Sequence, residues 1–298
     1  MTTRIGYLGP KATFTHLAVQ AYFGEVVDKI AFTTIPECID AVAKGEIEYA
    51  VVPTENALEG SVNLTFDYLI HEQPLYIVGE IVTPIKQHFM VHPSRKNDWE
   101  KITRVYSHPH AIAQCHKFLH RSFRGIKYDY ATSTGAAASY VSEHPEEPVA
   151  AIANEIAAKE YDLEIVKANV HDFHYNHTRF AILHPSVNAE FKSPILKPNK
   201  EKTTLMITLP SNQSGALHQV LSAFTWRKLS LSKIESRPMK TGLGNYFFII
   251  DIDMLIDEVL IPGAISELEA LGCSVKLLGS YEAYSISQSS QKDGEDLI

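Results

Sequence analysis

The order of apolar segments constrains the fold of this chain more than any other feature. Across residues 1 to about 185, short apolar runs alternate with longer amphipathic runs. Short apolar runs predict strands, and apolar residues at helical spacing predict helices. Alternation of the two is typical of an α/β domain with a largely parallel sheet. The sequence predicts strands at 4–8, 48–52, 75–82, 104–107, 149–152 and 180–183, and helices at 12–23, 62–70, 111–119 and 135–141.

The pattern changes after about residue 185, which predicts a second domain. Residues 186–202 contain two prolines and several charges without periodicity, so they are interpreted as a linker. Residues 203–283 follow the order βαββαβ of a ferredoxin-like fold. The final segment, 284–298, is rich in Ser, Gln and acidic residues and is predicted to be disordered. A chain of 298 residues is long enough for two such domains, each with its own core.

Composition limits the kinds of partner. The formal net charge of -8 argues against nucleic acid and anionic membranes, because phosphate binding requires an excess of Lys and Arg. It leaves a small anionic substrate open. The three cysteines show no metal-binding spacing and predict buried reduced thiols. Neither a leader-like segment nor an apolar run of membrane-spanning length is evident, so a cytoplasmic location is expected.

Four polar or Gly-rich segments each follow a predicted strand and precede a predicted helix. In an open α/β sheet such segments lie at the carboxyl ends of the strands, where ligands bind. Helix N-termini there offer free N–H groups and partial positive charge, which suits a ligand with carboxylates. Each segment alone is better interpreted as an ordinary turn with a helix cap, such as Ser107 or His108 with Pro109 in the first turn. The segments span residues 9–14, 53–61, 107–110 and 133–135.

The segment 176–180 (NHTRF) places a hydroxyl, a guanidinium and an aromatic ring where a loop enters a strand. Arg179 could bind a carboxylate with two hydrogen bonds. Thr178 could donate a hydrogen bond to an oxygen, and Phe180 could form an apolar wall. Spacing alone favours the simpler interpretation, an ordinary strand start with an exposed arginine.

Taken together, the motifs resemble those of the prephenate dehydratase family over nearly the full chain. Residues 178–180 match its TRF motif, residues 52–62 match VPxEN…EGSV, and residues 107–115 match SHPxAxxQC. The resemblance implies a catalytic domain of two α/β lobes around a cleft, similar to type II solute-binding proteins, over residues 1–185. It identifies Thr178 as the residue most tied to catalysis, and Arg179, Phe180, Glu55 and Asn56 as further catalytic residues. Substrate contacts are expected from Thr13, Phe14, Glu59, Gly60, Ser61, Ser107, His108 and Thr134.

The implied reaction requires few catalytic groups. Prephenate loses CO2 and hydroxide together, and aromatisation of the ring drives the step, so no metal or redox cofactor is expected. Arg179 and backbone N–H groups are predicted to hold carboxylate, and Phe180 to line the ring. Thr178 faces the leaving hydroxyl as a hydrogen-bond donor or proton relay, with Glu55 as a proton reservoir if burial raises its pKa. The histidine groups at 116/120 and 171/174/177 lack a zinc motif and are interpreted as surface or core residues.

In the C-terminal domain, residues 215–218 (GALH) and 235–238 (ESRP) match motifs of the ACT regulatory domain of the same family. The resemblance implies that L-phenylalanine binds between paired ACT domains and inhibits the enzyme, which requires at least a dimer, and the family is often tetrameric. The residues expected to contact the effector are Asn212, Gly215, Ala216, Leu217, His218, Glu235, Ser236, Arg237 and Pro238.

Two alternatives remain open from the sequence. An arogenate dehydratase would use the same cleft and accept an amine in place of the side-chain keto group, a difference that one contact could decide. A non-catalytic amino-acid-sensing protein could keep the two-lobed fold. Intact Thr178, Arg179, Glu55 and Asn56 argue against this second alternative, because a pure binder has no need of the whole set.

Overall fold

The computed structural model describes residues 2–210, 215–239 and 246–286. Its strands are β1 (Arg4–Leu8), β2 (Asp28–Phe32), β3 (Tyr49–Asn56), β4 (Gly60–Ser61), β5 (Tyr76–Pro84), β6 (His88–Val91), β7 (Arg104–Ser107), β8 (Lys127–Tyr130), β9 (Val149–Ala153), β10 (Glu164–Lys167), β11 (His177–His184), β12 (Pro198–Thr208), β13 (Leu231–Pro238), β14 (Tyr246–Ile252) and β15 (Ser274–Ser285). Its α-helices are α1 (Phe14–Phe23), α2 (Ile35–Ala43), α3 (Asn63–His71), α4 (Pro109–Ala113), α5 (His116–Ser122), α6 (Thr134–Glu143), α7 (Glu155–Glu160), α8 (Ala216–Thr225) and α9 (Leu260–Ala270). A 3-10 helix covers Pro93–Lys101.

The first lobe is built on five neighbouring strands in the order β5-β11-β3-β1-β2. β1 is parallel to β2 and β3, whereas β11 is antiparallel to both β3 and β5. The prediction of a largely parallel sheet therefore needs correction, since the sheet is mixed. The reason is the route of the chain: it returns to the first lobe at the edge where β1 and β3 end, so β11 must run in the opposite direction.

The second lobe contains a five-stranded sheet in the order β10-β6-β9-β7-β8. β7 is parallel to β8 and β9, and β6 is antiparallel to β9 and β10. The chain crosses between the lobes twice, through residues 85–87 and 168–176, and the N–H of Ile85 donates to the Asn176 carbonyl at 2.9 Å between these crossings. The predicted two-lobed α/β fold class is confirmed.

Local sequence explains where several helices start. Thr34 caps α2 through a reciprocal capping box with Glu37, and Pro36 occupies the first turn. His108 caps α4, with its Nδ1 accepting the N–H of His110, and Pro109 follows as the first helical residue, as predicted. The single helix predicted over 111–119 is wrong, because Gln114 and Cys115 interrupt it and leave α4 and α5.

The C-terminal domain has the predicted βαββαβ order, with its sheet arranged β13-β14-β12-β15. Helices α8 and α9 pack on one face of this sheet through a core that includes Leu205, Val220, Phe224, Ile250 and Leu268. The opposite face packs on the first lobe: Phe247, Ile249 and Tyr281 share one core with Phe66 and Leu69 of α3.

Both ends of the C-terminal domain extend beyond the predicted strands. β12 begins at Pro198, so residues 198–202 of the predicted linker belong to a strand. β15 continues to Ser285, past the predicted end of the domain at 283, and pairs in parallel with β5 of the first lobe. The two sheets therefore form one ten-stranded sheet. Of the predicted tail 284–298, residues 284–286 are structured and the remainder lies outside the described residues.

A buried ion pair connects the C-terminal domain to the first lobe at this junction. Lys202 Nζ lies 2.6 Å from Glu80 Oε1, and the two side chains are only 2% and 7% exposed. Lys202 is on β12 and Glu80 on β5, so the pair joins the C-terminal domain to the first lobe. Removing one partner would leave an uncompensated buried charge. The two predicted domains thus differ in the order of their strands and helices, but one continuous sheet and a buried ion pair join them.

The three cysteines, Cys38, Cys115 and Cys273, are buried free thiols, as predicted. No helix within the described part of the chain combines the length and apolar character needed to cross a membrane.

Buried histidines near the lobe junction make stability sensitive to acid. His88 Nδ1 accepts the N–H of Asn169 at 3.2 Å, and burial lowers the pKa of His88 to about 4. His16 and His171 also accept backbone N–H groups through Nδ1, and burial lowers the pKa of both. A ring nitrogen that accepts an N–H is unprotonated, so the folded protein holds these rings neutral.

We expect the free energy of unfolding to fall as the pH falls from about 6.5 towards 4. In that window the unfolded chain binds a proton at His88 and the folded chain does not, so this stabilisation is complete above the ordinary histidine pKa and is lost below it. The share of His88 is about 2 kcal/mol between pH 7 and 5. Denaturant unfolding of the wild type and His88→Asn across this range checks it, and equal pH slopes for the two proteins would contradict it.

Candidate functional site

The site lies between the two lobes, where the carboxyl edges of their sheets face each other. On one side Asn154 Nδ2 donates to the Ala12 carbonyl at 3.0 Å, which joins the start of α7 to the loop after β1. On the other side His110 Nδ1 lies 3.6 Å from Glu59 Oε1, which joins α4 to the loop between β3 and β4. We refer to the space bounded by these two contacts as the cleft.

Thr178 and Asn56 form a hydrogen-bonded pair on the first lobe's side of the cleft. Asn56 ends β3 and Thr178 is the second residue of β11, and the two are register partners. Asn56 Nδ2 donates to Thr178 Oγ1 at 2.8 Å. The start of β11 lies at the carboxyl edge of β3 because the strands are antiparallel. The pair therefore lies at the end of the sheet nearest the second lobe, and Thr178 itself is only 9% exposed.

The orientation of the Asn56 amide is fixed by its other contacts. Its Oδ1 accepts the N–H groups of Leu58 and Glu59 at 3.0 and 3.1 Å, so the opposite end of the amide must present the NH2 group to Thr178. Because Thr178 Oγ1 accepts this N–H, its own hydrogen remains available as a donor. The arrangement can present one O–H to an oxygen atom in the cleft, as predicted for this residue type.

Arg179 does not lie with Thr178, which corrects the prediction that it binds a substrate carboxylate. Adjacent strand residues point to opposite faces of a sheet. Arg179 Nη1 lies 3.4 Å from Glu55 Oε2 and 3.7 Å from Asp251 Oδ2, so its guanidinium faces the C-terminal domain. The role left to Arg179 is to join the strand that carries Thr178 to that domain.

Glu55 also differs from its predicted role as a proton reservoir. Its carboxylate is paired with Arg179 and with Lys233, whose Nζ lies 3.0 Å from Oε2, and its side chain is 30% exposed. The hypothesis required a carboxyl group isolated by burial, and the structure instead places two cations beside it. As a neighbour of Asn56 in β3, Glu55 points to the face opposite the hydrogen-bonded pair.

Three further residues that were predicted to contact substrate have structural roles instead. Phe180 is 2% exposed and packs in the first lobe's core with Tyr7 and Val51, so it does not line the cleft. Ser107 is fully buried, and its hydroxyl donates to the Ile152 carbonyl at 2.6 Å. Ser61 Oγ donates to Glu235 Oε2 at 2.6 Å and so faces the C-terminal domain.

Other predicted residues do lie at the cleft edges. Thr13 caps α1, with its Oγ1 accepting the His16 N–H at 3.3 Å, and Phe14 begins that helix. Thr134 begins α6, which Ser133 caps. Gly60, the first residue of β4, takes a φ of +82°, a conformation that glycine adopts without strain. Their part in substrate binding stays a prediction.

His108 lies at the cleft edge as the cap of α4. Burial and the neighbouring His110 lower the pKa of His108, and Glu59 opposes them. Its ring is therefore neutral near pH 7, with Nδ1 occupied by the N–H of His110. A neutral ring in this position can still donate through Nε2.

Gly135 permits a close approach of the two lobes. A methyl group at this position would overlap the Lys11 carbonyl oxygen, a backbone atom of the first lobe. Gly→Ala within a helix ordinarily stabilises a protein, by about 1 kcal/mol. We expect Gly135→Ala instead to destabilise the folded protein by about 2 kcal/mol, because the lobes must separate. For the same reason we expect a higher KM for prephenate, the substrate that the motifs imply. Unfolding and steady-state kinetics check this, and a stabilised variant with an unchanged KM would show that the lobes do not meet here.

A separate cavity of about 320 Å³ lies beside the two segments that connect the lobes, on the side of the Asn154–Ala12 contact. It is lined by Phe14, Leu17, Pro84, Lys86, His88, Asn154, Glu155, Ile165, Ala168, Asn169 and Ile286. Thr178 and Asn56 do not line it, so this cavity and the candidate catalytic pair lie at different positions. The hydrogen-bonded pair is the better guide, because it combines a free donor with a fixed orientation.

The C-terminal motif residues separate into two groups. Gly215 directly precedes α8 and has a φ of +86°. Ala216, the first residue of the helix, helps to line a cavity of about 200 Å³ with Leu209, Pro210, Gln219, Val220, Leu271 and Cys273. Leu217 and His218 are exposed on the same helix. Asn212 lies outside the described residues.

The second motif is oriented differently, which corrects part of the effector prediction. Glu235 contacts Ser61, and Arg237 forms an ion pair with Asp67 at 2.6 Å and contacts Asn63. Both side chains therefore bind the first lobe. Ser236 and Pro238, which alternate with them on β13, stay exposed.

Sequence reasoning missed Lys233 and Asp251, the residues of the C-terminal domain that contact Glu55 and Arg179. A signal was present for Lys233: with Glu235 and Arg237 it places a charge at every second position of one strand. That spacing predicts a charged face. Nothing in the sequence indicated which surface the face meets.

The fold and the paired side chains define a class: a two-lobed α/β enzyme with a donor hydroxyl at its cleft and a C-terminal domain fixed to its first lobe. Residues 5–188 match the family described as prephenate dehydratase. The chain is 62% identical over 284 residues to the prephenate dehydratase of Bacillus subtilis, which covers 95% of this chain and 100% of the relative. The chain belongs to the prephenate dehydratase family, as the motifs predicted.

Solved structures agree with this assignment. The prephenate dehydratase of Arthrobacter aurescens in complex with L-Phe has a TM-score of 0.81 and 31% identity, covering 94% of this chain and 90% of that chain. GqqA, described as a novel type of quorum quenching acylase, has a TM-score of 0.80 at 26% identity, covering 94% and 98%. Because one fold can support different reactions, the reaction must be argued from the site.

Proposed function

We propose that this chain catalyses the reaction of its family, the conversion of prephenate to phenylpyruvate, CO2 and water. The observation that carries the proposal is the Asn56–Thr178 hydrogen bond at the cleft, within the segment that matches the family. The pair supplies an oriented O–H donor to a leaving hydroxyl. It is a lyase reaction in phenylalanine biosynthesis.

The chemistry needs one developing negative charge to be stabilised. The bond between the ring and its carboxylate breaks, and its electrons enter the ring as CO2 departs. The C–O bond at the opposite ring carbon breaks, and its electrons leave with the hydroxyl oxygen, which takes a proton to become water. Thr178 donates a hydrogen bond to that oxygen as its charge grows, while the Asn56 N–H polarises the Thr178 hydroxyl.

Since Arg179 faces the C-terminal domain, the substrate carboxylates need other partners. The start of α6 presents the backbone N–H groups of its first turn apart from that of Ala136, which donates to the Ser133 side chain, and the partial positive charge of the helix end adds to them. α1 begins at the same side of the cleft. We assign carboxylate binding to these backbone groups, with Thr13, Phe14, Gly60, His108 and Thr134 around them.

A direct assay separates the proposed function from its alternatives. Purified protein is incubated with prephenate, and phenylpyruvate is followed by its absorbance, with arogenate in parallel. We expect turnover of prephenate. Turnover of arogenate in its place would identify an arogenate dehydratase, and tight binding of prephenate without product would identify a non-catalytic binding protein.

We also propose that L-phenylalanine inhibits the enzyme through the C-terminal domain, an ACT domain. The cavity of about 200 Å³ beside Ala216 is lined largely by apolar side chains, which suits an aromatic ring, and the Arthrobacter relative was solved with L-Phe. Inhibition requires that phenylalanine bind a less active state more tightly. An unchanged kcat/KM for prephenate at saturating phenylalanine would refute the proposal.

The C-terminal domains are proposed to pair in a homo-oligomer, a dimer or a tetramer. Among the described strands β13 lies at one end of the ten-stranded sheet, and the nearby Ile234 and Tyr246 are 46% and 44% exposed. An edge with exposed apolar side chains favours association. Light scattering of the full chain checks the mass, and a monomer at micromolar concentration would contradict it. A cytoplasmic location is proposed from the free thiols.

A further inference from the structure

The hairpin formed by β3, β4 and the turn between them carries the residue that orients Thr178. Asn56 ends β3, and its Oδ1 holds the N–H groups of Leu58 and Glu59 in the turn. Glu55 and Ser61 are register partners on the two sides of the base of this hairpin. Any movement of the base therefore changes the position of the Asn56 amide relative to Thr178.

One side chain of the C-terminal domain holds both sides of this base. Lys233 Nζ lies 3.0 Å from Glu55 Oε2 and 3.1 Å from Ser61 Oγ. It also lies 3.1 Å from Glu235 Oε2, which in turn accepts the Ser61 hydroxyl. An ammonium group has three N–H donors, so these three oxygens satisfy it completely.

The surroundings make this contact rigid. The Lys233 side chain is only 11% exposed, and Nζ lies 5.1 Å from the centre of the Phe66 ring. A buried ammonium with a full set of acceptors has one low-energy position, because moving it would leave a donor unpaired away from water. Glu55 and Glu235 are both anionic partners of the same ammonium, so its loss would also leave two carboxylates close together.

We propose that Lys233 is a positioning residue for the reaction, supplied to the catalytic lobe by the C-terminal domain. It holds the base of the hairpin, the hairpin holds the Asn56 amide, and that amide orients the Thr178 hydroxyl. Lys233 touches no reacting atom in this scheme. The inference rests on the proposed function, and it adds that the C-terminal domain contributes to the geometry of the catalytic site even without an effector.

The test compares three variants of the full chain. Lys233→Met removes the charge and keeps similar length, and Lys233→Arg keeps the charge. Arg227→Met removes an ion pair with Glu267 inside the same domain, away from the hairpin, and serves as the control for general loss of stability. For each protein kcat and KM for prephenate and the hydrogen exchange of the Leu58 and Glu59 amides are measured.

We expect Lys233→Met to lower kcat about 30-fold with a smaller change in KM, since small misplacements of reacting groups have effects of this size. Exchange of the Leu58 and Glu59 amides should become faster. Lys233→Arg should recover kcat to within about 3-fold of the wild type, and Arg227→Met should keep the wild-type kcat and exchange.

Two results would overturn the inference: unchanged kcat and exchange in Lys233→Met, or an equal loss in Arg227→Met. Failure of the proposed function would look different. A wild type that does not convert prephenate refutes that function, and the amide exchange, which needs no substrate, then decides by itself whether Lys233 positions the hairpin.

Discussion

Replacing Thr178 with valine is expected to lower kcat for prephenate by about 10³-fold, the range found when a positioned donor is removed from a reaction. Valine keeps the shape of threonine and replaces only the hydroxyl, with a methyl group. The leaving oxygen then loses its donor, and the Asn56 N–H loses its acceptor. KM should change little, because the carboxylates are held elsewhere. Steady-state kinetics with prephenate measure both quantities.

Thr178→Ser is the matched control, because it retains the hydroxyl and removes a methyl group. We expect it to keep kcat within about 10-fold of the wild type, a small loss compared with removal of the donor. The free energy of unfolding of both variants should be close to the wild-type value. Thr178→Val loses one hydrogen bond, which costs about 1 kcal/mol, and Thr178→Ser keeps it. Equal losses of kcat in the serine and valine variants would rule out a role for the hydroxyl.

Asn56→Asp is expected to lower kcat by several hundred-fold at pH 7, again in the range of a lost donor. The substitution keeps an oxygen to accept the N–H groups of Leu58 and Glu59, so the turn is preserved. It replaces the NH2 group beside Thr178 with a second acceptor. The Thr178 hydroxyl then donates to the new carboxylate and is no longer available to the leaving oxygen.

The pH dependence of the Asn56→Asp variant provides a further check. Below the pKa of the introduced carboxyl, its O–H can donate to Thr178 as the amide did. The activity of the variant relative to the wild type should therefore rise as the pH falls towards 5. Asn56→Leu has neither donor nor acceptor and should show no such rise. Full activity of Asn56→Asp at pH 7 would mean that the amide does not orient Thr178.

Much of the fold was predictable because it depends on local patterns. β1 and β7 fall within the predicted bounds, and the βαββαβ order of the C-terminal domain is confirmed. The apolar spacing and the helix caps that fix these elements lie within a few residues of one another. The extension of β15 to Ser285 was not predicted, since nothing within residues 279–285 shows that β5 is its partner.

The candidate site was predictable in part. The motifs named both Asn56 and Thr178, and the structure places their polar atoms 2.8 Å apart. The predicted roles of Arg179 and Glu55 differ from the structure, because both side chains point to the face of the sheet opposite the Asn56–Thr178 pair. Alternation along a strand puts neighbours on opposite faces, so Arg179 cannot share a pocket with Thr178.

The amino-acid sequence by itself determined the family, the order of the elements and the residues that can donate or carry charge, since all of these follow from local spacing and residue type. Only the tertiary structure decided which face of each strand meets the cleft and which meets the C-terminal domain. Lys233 and Glu55 are 178 positions apart in the chain. Contacts of that kind depend on how whole sheets pack, and no local pattern encodes them.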